Sequence, residues 1–259
     1  MYNILIMNRS PSDHSMNILE LPLHVVTQEL GVDGLKERLD SEISQKGWLD
    51  TEKHLIAQSM DLAIIIHQDS MRGDMPYATH LLRVANRICS RNHFNIDDPE
   101  IVIAALLHDS VEDNPAAYNN LIRNTHNRHE KEHALYCLSQ LFSPRVAELI
   151  DSVTNPDFPS GISKNEKNFL YQEHVRHTLN ASQSAGVIKM SDFIDNCVGL
   201  GYNECSDRAK RLAIKYLPLI PDFINFTENS TLLPLQAKYT VLNQLSKAQS
   251  KCEELSLNK

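Results

Sequence analysis

An all-α fold is what this sequence predicts, and three observations predict it. Apolar residues recur at spacings of three and four through most of the chain, the period that lines one face of a helix. Strictly alternating runs rich in β-branched residues, the mark of half-buried strands, are few. Only 8 glycines interrupt 259 residues, so the breaks between periodic segments are sparse and local.

Residues 1–50 form a weakly patterned, partly helical N-terminal extension that ends in helical material such as "VDGLKERLDSEISQKG". A helix follows through "EKHLIAQSMDLAIIIHQ", and "DSMRGDMP" breaks it with Gly73 and Pro76. Asp74 ahead of Pro76 suits a helix start, because an acidic cap and an early proline match the unpaired amides of a first turn. From there Tyr77, Leu81, Val84 and Ile88 make an apolar stripe with His80 beside it. The stretch "PEIVIAALLHDSVED" reads as one helix from Pro99, ending before Pro115. Further helices run through "EKEHALYCLSQLF", "PRVAELIDSV", "EKNFLYQEHVRHTLN" and "GVIKMSDFIDNCVGL". Two prolines, a glycine and an Asn-Pro pair make "TNPDFPSGISK", 154–164, the clearest loop. Residues 206–259 read as packing helices. The expected layout is therefore a core over 51–205 between two helical extensions.

Bulk properties narrow the functional classes. A net charge of −8 argues against nucleic acid as the main partner, since neutralising phosphates requires clustered lysine and arginine. Five cysteines without a C-x-x-C spacing suggest neither a disulfide framework nor a zinc ribbon, and reduced thiols fit a cytoplasmic protein. "MYNILIM" lacks the basic start and the length of a signal peptide, and no apolar run is long enough for a membrane span. A cytoplasmic location without a membrane partner is the expectation; a homo-oligomer is left open.

The chemistry concentrates in "AALLHDSVED". His108 and Glu112, four apart, share a helix face, and Asp109 and Asp113 form the adjacent row. Isolated carboxylates among such apolar neighbours cost several kcal/mol unless they are neutralised, paired or bound to a metal. "VIKMSDFIDN" repeats the anomaly with Asp192 inside an apolar stripe, one turn before Asn196. With His80, the set offers two imidazoles and two carboxylates, a mixed nitrogen and oxygen shell suited to Mn²⁺, Fe²⁺ or Zn²⁺ more than to Ca²⁺. Taken singly, each residue has a plainer explanation: a buried histidine is usually a hydrogen-bonded core residue, and an aspartate usually pairs with a cation.

The order "PYATH", "AALLHDSVED", "VIKMSDFIDN" resembles the HD-domain metal-dependent phosphohydrolases, specifically the hydrolase domain of RelA/SpoT-type alarmone enzymes and their single-domain relatives. The resemblance covers roughly residues 54–203 and implies an HD-domain helical bundle. It implies that His80, His108, Asp109 and Asp192 bind one divalent ion, usually Mn²⁺. It also implies that Glu112 and Asp113 position and activate the attacking water, and that Arg72, Asn196, Lys189 and Tyr77 contact the substrate. The implied reaction removes 3′-pyrophosphate from (p)ppGpp-like alarmones. Gly199 and Tyr202 depart from the residues usual in that branch, so a hydrolase of another nucleotide, such as an NADPH or nucleotide phosphatase, is the alternative. A non-catalytic nucleotide-sensing HD module is a third.

One competing pattern exists. "HEKEH", 129–133, matches the H-E-x-x-H of zinc metalloproteases. Its charged interior residues Lys131 and Glu132 point to a solvated helix start instead. His67 and His174 read as surface or packing residues, with a place in the pocket wall left open for His174.

Overall fold

In the computed structural model, residues 18–19, 22–119, 121–122, 129–197 and 207–257 are described. Their framework is helical: α1 (Leu23–Ser44), α2 (Asp50–Ile66), α3 (Ala78–Cys89), α4 (Pro99–Leu107), α5 (Ser110–Asp113), α6 (Glu130–Leu141), α7 (Pro144–Val153), α8 (Lys164–Ala181), α9 (Gln183–Cys197), α10 (Asp207–Tyr216), α11 (Ile220–Asn229) and α12 (Leu235–Leu257). The all-α expectation holds. The only sheet among the described residues is a two-stranded hairpin of β1 (Met71–Arg72) and β2 (Met75–Pro76).

The helix α4 is the axis of the molecule. Every residue from Ile101 to Leu107 is buried, which is the fate of a helix apolar on all sides. Asp98 starts it by accepting the amides of Glu100 and Ile101 at 3.1 and 3.3 Å, with Pro99 in the first turn. Arg145 ties that start to α7 through Asp98 and Glu100, at 2.7 and 2.6 Å. Around α4 pack α2, α3, α7 and α9, while α1 lies on α3, α8 on α9, and α10 and α11 on α12. One apolar cluster runs unbroken from Leu23 in α1 to Leu255 in α12.

Two local departures from the sequence reading matter for the site. The helix expected through residue 113 stops at Leu107 and resumes at Ser110, with His108 and Asp109 in the turn between. Side chains compete for the backbone there: His108 Nδ1 lies 2.9 Å from the carbonyl of Ala105, and Ser110 Oγ donates to that of Leu107 at 2.6 Å. The second departure is "MRGDM". Gly73, at φ +65°, makes the turn of the hairpin that pairs Arg72 with Met75, so Asp74 belongs to a β-turn and does not cap a helix. The helix starts four residues beyond it, at Ala78, with the Thr79 hydroxyl donating to the Pro76 carbonyl at 2.8 Å.

Candidate metal centre

Three elements converge. His80 lies on the first turn of α3, His108 and Asp109 on the turn after α4, and Asp192 on the middle of α9. Ligand atoms of His80, His108 and Asp192 all lie within 4.8 Å of one another, and the three residues are buried. The Asp109 carboxylate joins them, with Oδ2 at 3.1 Å from His108 Nε2 and 3.5 Å from His80 Nε2. Asp192 Oδ1 is 3.3 Å from His80 Nε2 and 3.8 Å from that of His108.

The imidazoles are oriented from behind. The Nδ1 of His108 is used by the Ala105 carbonyl, and that of His80 by Asp195 Oδ2 at 2.8 Å. Each ring therefore turns Nε2 toward the carboxylates, yet neither Nε2 has a hydrogen-bond partner despite full burial. Unsatisfied buried nitrogens facing two carboxylates are an arrangement that a cation resolves. Burial pushes the His80 pKa down, but Asp109, Asp192 and Asp195 outweigh it and hold it up at about 9. His108 is raised well above the usual histidine range against the same opposition from burial. Burial would raise Asp109 and Asp192, but the imidazoles hold both below the ordinary carboxylate range.

The other residues picked from the sequence are placed as follows. Tyr77 donates its hydroxyl to Asp109 Oδ2 at 2.7 Å, and its ring stacks on His67 with centroids 5.0 Å apart. Arg72, brought in by the hairpin, donates to Asn196 Oδ1, and Asn196 donates to Asp192 Oδ1 at 2.5 Å. Arg72, Asn196, Tyr77 and the four ligand candidates are thus one connected cluster. Glu112 and Asp113 stand at its exposed edge on α5. Glu112 accepts from the backbone and side-chain amides of Asn155, at 3.1 and 2.8 Å, while Asp113 lies 3.6 Å from His67 Nε2. Lys189 is buried in α9 one turn before Asp192. His174 is half-buried, and burial followed by the charge of Lys189 brings its pKa down to about 4. Gly199 and Tyr202 lie outside the described residues.

Sequence reasoning passed over four groups. Asp195 is nearly sealed, with its side chain 3% exposed, and bonds His80. His67, taken for a surface or packing residue, is 1% exposed between Tyr77 and Asp113. Asn155, in the Asn-Pro loop, holds Glu112. Lys215 lies over the Tyr171 ring at 3.6 Å, and burial lowers its pKa against the pull of Asp192, Glu112 and Asp109, which brings α10 within electrostatic reach of the centre. A second acid three residues after Asp192 in "SDFIDN" was the available signal for Asp195. The protease-like pattern does not assemble a site: His129 is exposed ahead of α6, and His133 is buried with Nε2 3.5 Å from Cys137 Sγ. Among the described residues, the one group of three or more metal-ligating side chains is that of His80, His108 and Asp192.

The all-α bundle brings a His, a His-Asp pair and an Asp to one buried centre, and the chain is similar to three known proteins. The chain is 28% identical over 165 residues to guanosine-3′,5′-bis(diphosphate) 3′-pyrophosphohydrolase MESH1 of Xenopus tropicalis, covering 60% of this chain and 78% of the relative. It is 26% identical over 155 residues to MESH1 of Danio rerio, covering 59% and 71%, and 26% identical over 149 residues to that of Drosophila melanogaster, covering 56% and 69%. No family model matches the chain. Among the described residues, no helix is long and apolar enough to cross a membrane.

Proposed function

We propose that this chain is a divalent-metal-dependent hydrolase that removes pyrophosphate from the 3′ position of a guanosine 3′,5′-bis(diphosphate)-type nucleotide. The observation that carries the reading is the pair of bare, buried Nε2 atoms of His80 and His108 facing the carboxylates of Asp109 and Asp192. These four residues would hold the ion, and two nitrogen with two oxygen donors favour Mn²⁺, with Fe²⁺ and Zn²⁺ as the other metals the set accommodates. A divalent ion bound there supplies positive charge to a phosphoryl oxygen and makes water more acidic.

The protein groups supply the rest. Tyr77 fixes Asp109 by its hydroxyl. Glu112, held by Asn155 at the open edge, accepts a proton from the attacking water, and Asp113 beside it orients that water. Arg72 and Lys189 offer cationic contacts to the diphosphates and base, and Asn196 a polar contact to the sugar and phosphate end. The water oxygen joins the phosphorus nearer the ribose, the bond from that phosphorus to the 3′ oxygen breaks, and the 3′ oxygen takes a proton. The products are pyrophosphate and the nucleotide 5′-diphosphate. In this reading residues 51–205 are the catalytic core, and Lys215 of α10 adds a positive charge that Asp192, Glu112 and Asp109 attract.

Relatives named for this reaction and the matching set of motifs support the substrate class. The test is purified protein with Mn²⁺ against guanosine and adenosine 3′,5′-bis(diphosphates), NADPH and ordinary nucleotides, with pyrophosphate and orthophosphate measured separately. Pyrophosphate from the guanosine compound is expected. Orthophosphate alone, or binding without turnover, would overturn the proposal.

A further inference from the structure

The carboxylate nearest His80 is not one of the four read from the sequence motifs. Asp195 Oδ2 sits 2.8 Å from His80 Nδ1, on the side of the ring turned away from the centre. Its two oxygens are gripped by Arg83, which donates from Nε to Oδ1 at 2.8 Å and from a terminal nitrogen to Oδ2 at 2.7 Å. Arg87 adds a contact to Oδ1 at 3.2 Å and anchors itself on the carbonyl of Ser191 at 2.9 Å. Ser191 in turn donates its hydroxyl to the Val84 carbonyl at 2.9 Å. His80, Arg83 and Arg87 lie on one face of α3, at spacings of three and four, so the face that offers the ligand also offers the clamp.

We infer that Asp195 is a positioning residue that fixes His80 as a metal ligand, held in place by Arg83 and Arg87. The inference rests on the reading of the cluster as a metal centre. The chemistry has three parts. A hydrogen bond from Nδ1–H to a carboxylate selects the tautomer with a bare Nε2 and locks the ring orientation. The negative charge makes the imidazole a stronger donor. The two guanidiniums compensate the buried carboxylate and occupy both its oxygens, which keeps a third aspartate from competing for the ion. His108 has the neutral carbonyl of Ala105 in the corresponding place, so the two imidazoles are unequal ligands and His80 is the stronger.

Mn²⁺ binding by calorimetry comes first on the wild type, then on Asp195→Asn and Arg83→Gln. Asp195→Asn should bind Mn²⁺ roughly 10- to 100-fold more weakly, the size of effect known for partners of metal-bound histidines. Arg83→Gln leaves the carboxylate on His80 and should weaken binding less. Excess Mn²⁺ should restore turnover to the Asp195→Asn protein, which a loss of fold would not allow. A folded Asp195→Asn protein with wild-type affinity would overturn the role of Asp195 alone, whereas a wild type that takes up no divalent ion would overturn the proposed function. If Asp195→Asn does not fold, the wild type decides. In Zn²⁺-loaded, ¹⁵N-histidine-labelled protein, His80 should carry its proton on Nδ1 and its metal on Nε2, and the reverse assignment would overturn the inference.

Discussion

Replacing Glu112 by glutamine separates holding an ion from using it. The Glu112 carboxylate is exposed on the short helix α5 and accepts three contacts from Asn155, at 3.1, 3.0 and 2.8 Å. A glutamine carbonyl in the place of Oε2 keeps two of these, so the fold should change by no more than about 0.5 kcal/mol, as for ordinary surface substitutions. The imidazole nitrogens face Asp109 and Asp192, not Glu112, so Mn²⁺ content should stay at the wild-type level. On the proposed role of Glu112, what is lost is the proton acceptor. A positioned acid or base contributes roughly 10²- to 10⁴-fold, so the barrier should rise by about 2.7 to 5.4 kcal/mol and kcat fall accordingly. The assay is pyrophosphate release at saturating substrate and Mn²⁺, with metal content measured on the same sample. Asn155→Ala, which keeps the charge and removes only its tether, should slow turnover less. A Glu112→Gln protein that turned over at the wild-type rate, or that lost its Mn²⁺, would refute this division of labour.

Asp109→Ala should remove ion and activity together, because it deletes a carboxylate 3.1 and 3.5 Å from the two imidazoles; undiminished metal in the folded variant, by elemental analysis, would show the centre to be misassigned. The His80 pKa, about 9, lies above the ordinary 6.5 of an unfolded chain, so its proton stabilises the metal-free fold fully below about pH 6.5 and that contribution is lost as pH rises through 9. Asp109 and Asp192 are shifted the other way, so their contribution is present above the carboxylate range and lost on acidification. Metal-free melting temperature should therefore fall on both sides of a neutral plateau, and Mn²⁺ affinity should climb between pH 6.5 and 9 as ion replaces proton; an affinity flat over that window would refute the competition. Gly186→Ala should destabilise the protein by about 1 to 3 kcal/mol in denaturant unfolding, since the added methyl would sit 2.3 Å from the buried Phe226 ring; unchanged stability would mean that α11 yields freely.

Periodicity reports burial, and it made α4, α8 and α9 legible, while prolines and a glycine marked the loop at 154–164. It does not report side chains that capture backbone carbonyls, and the interruption at His108 and Asp109 depends on such captures by His108 and Ser110. Nor does it distinguish a helix break from a two-residue hairpin, which is why Asp74 looked like a cap. Chemical anomaly was the better guide to the centre: acids and imidazoles in apolar surroundings drew attention to His80, His108, Asp109 and Asp192. The same rule missed Asp195 because its neutralising partners, Arg83 and Arg87, are more than a hundred residues earlier, a separation only the folded chain closes. His67, read as a surface or packing residue, proves to be a packed one, enclosed between Tyr77 and Asp113 much nearer in sequence.

The convergence of α3, the α4 to α5 turn and α9 has a consequence for how the polypeptide reaches its final form. The donors come from distant parts of the sequence, so an ion can engage all of them only after long loops have closed and the central helix is enclosed. On the proposed reading, loading is a late event that rewards completed topology. By mass action it would deepen the native basin by about 2.7 kcal/mol at a hundredfold excess over the dissociation constant. Metal supply would thus govern the lifetime of the protein against unfolding and proteolysis as well as its chemistry, and a cell short of the ion would hold fewer intact copies as well as idle ones.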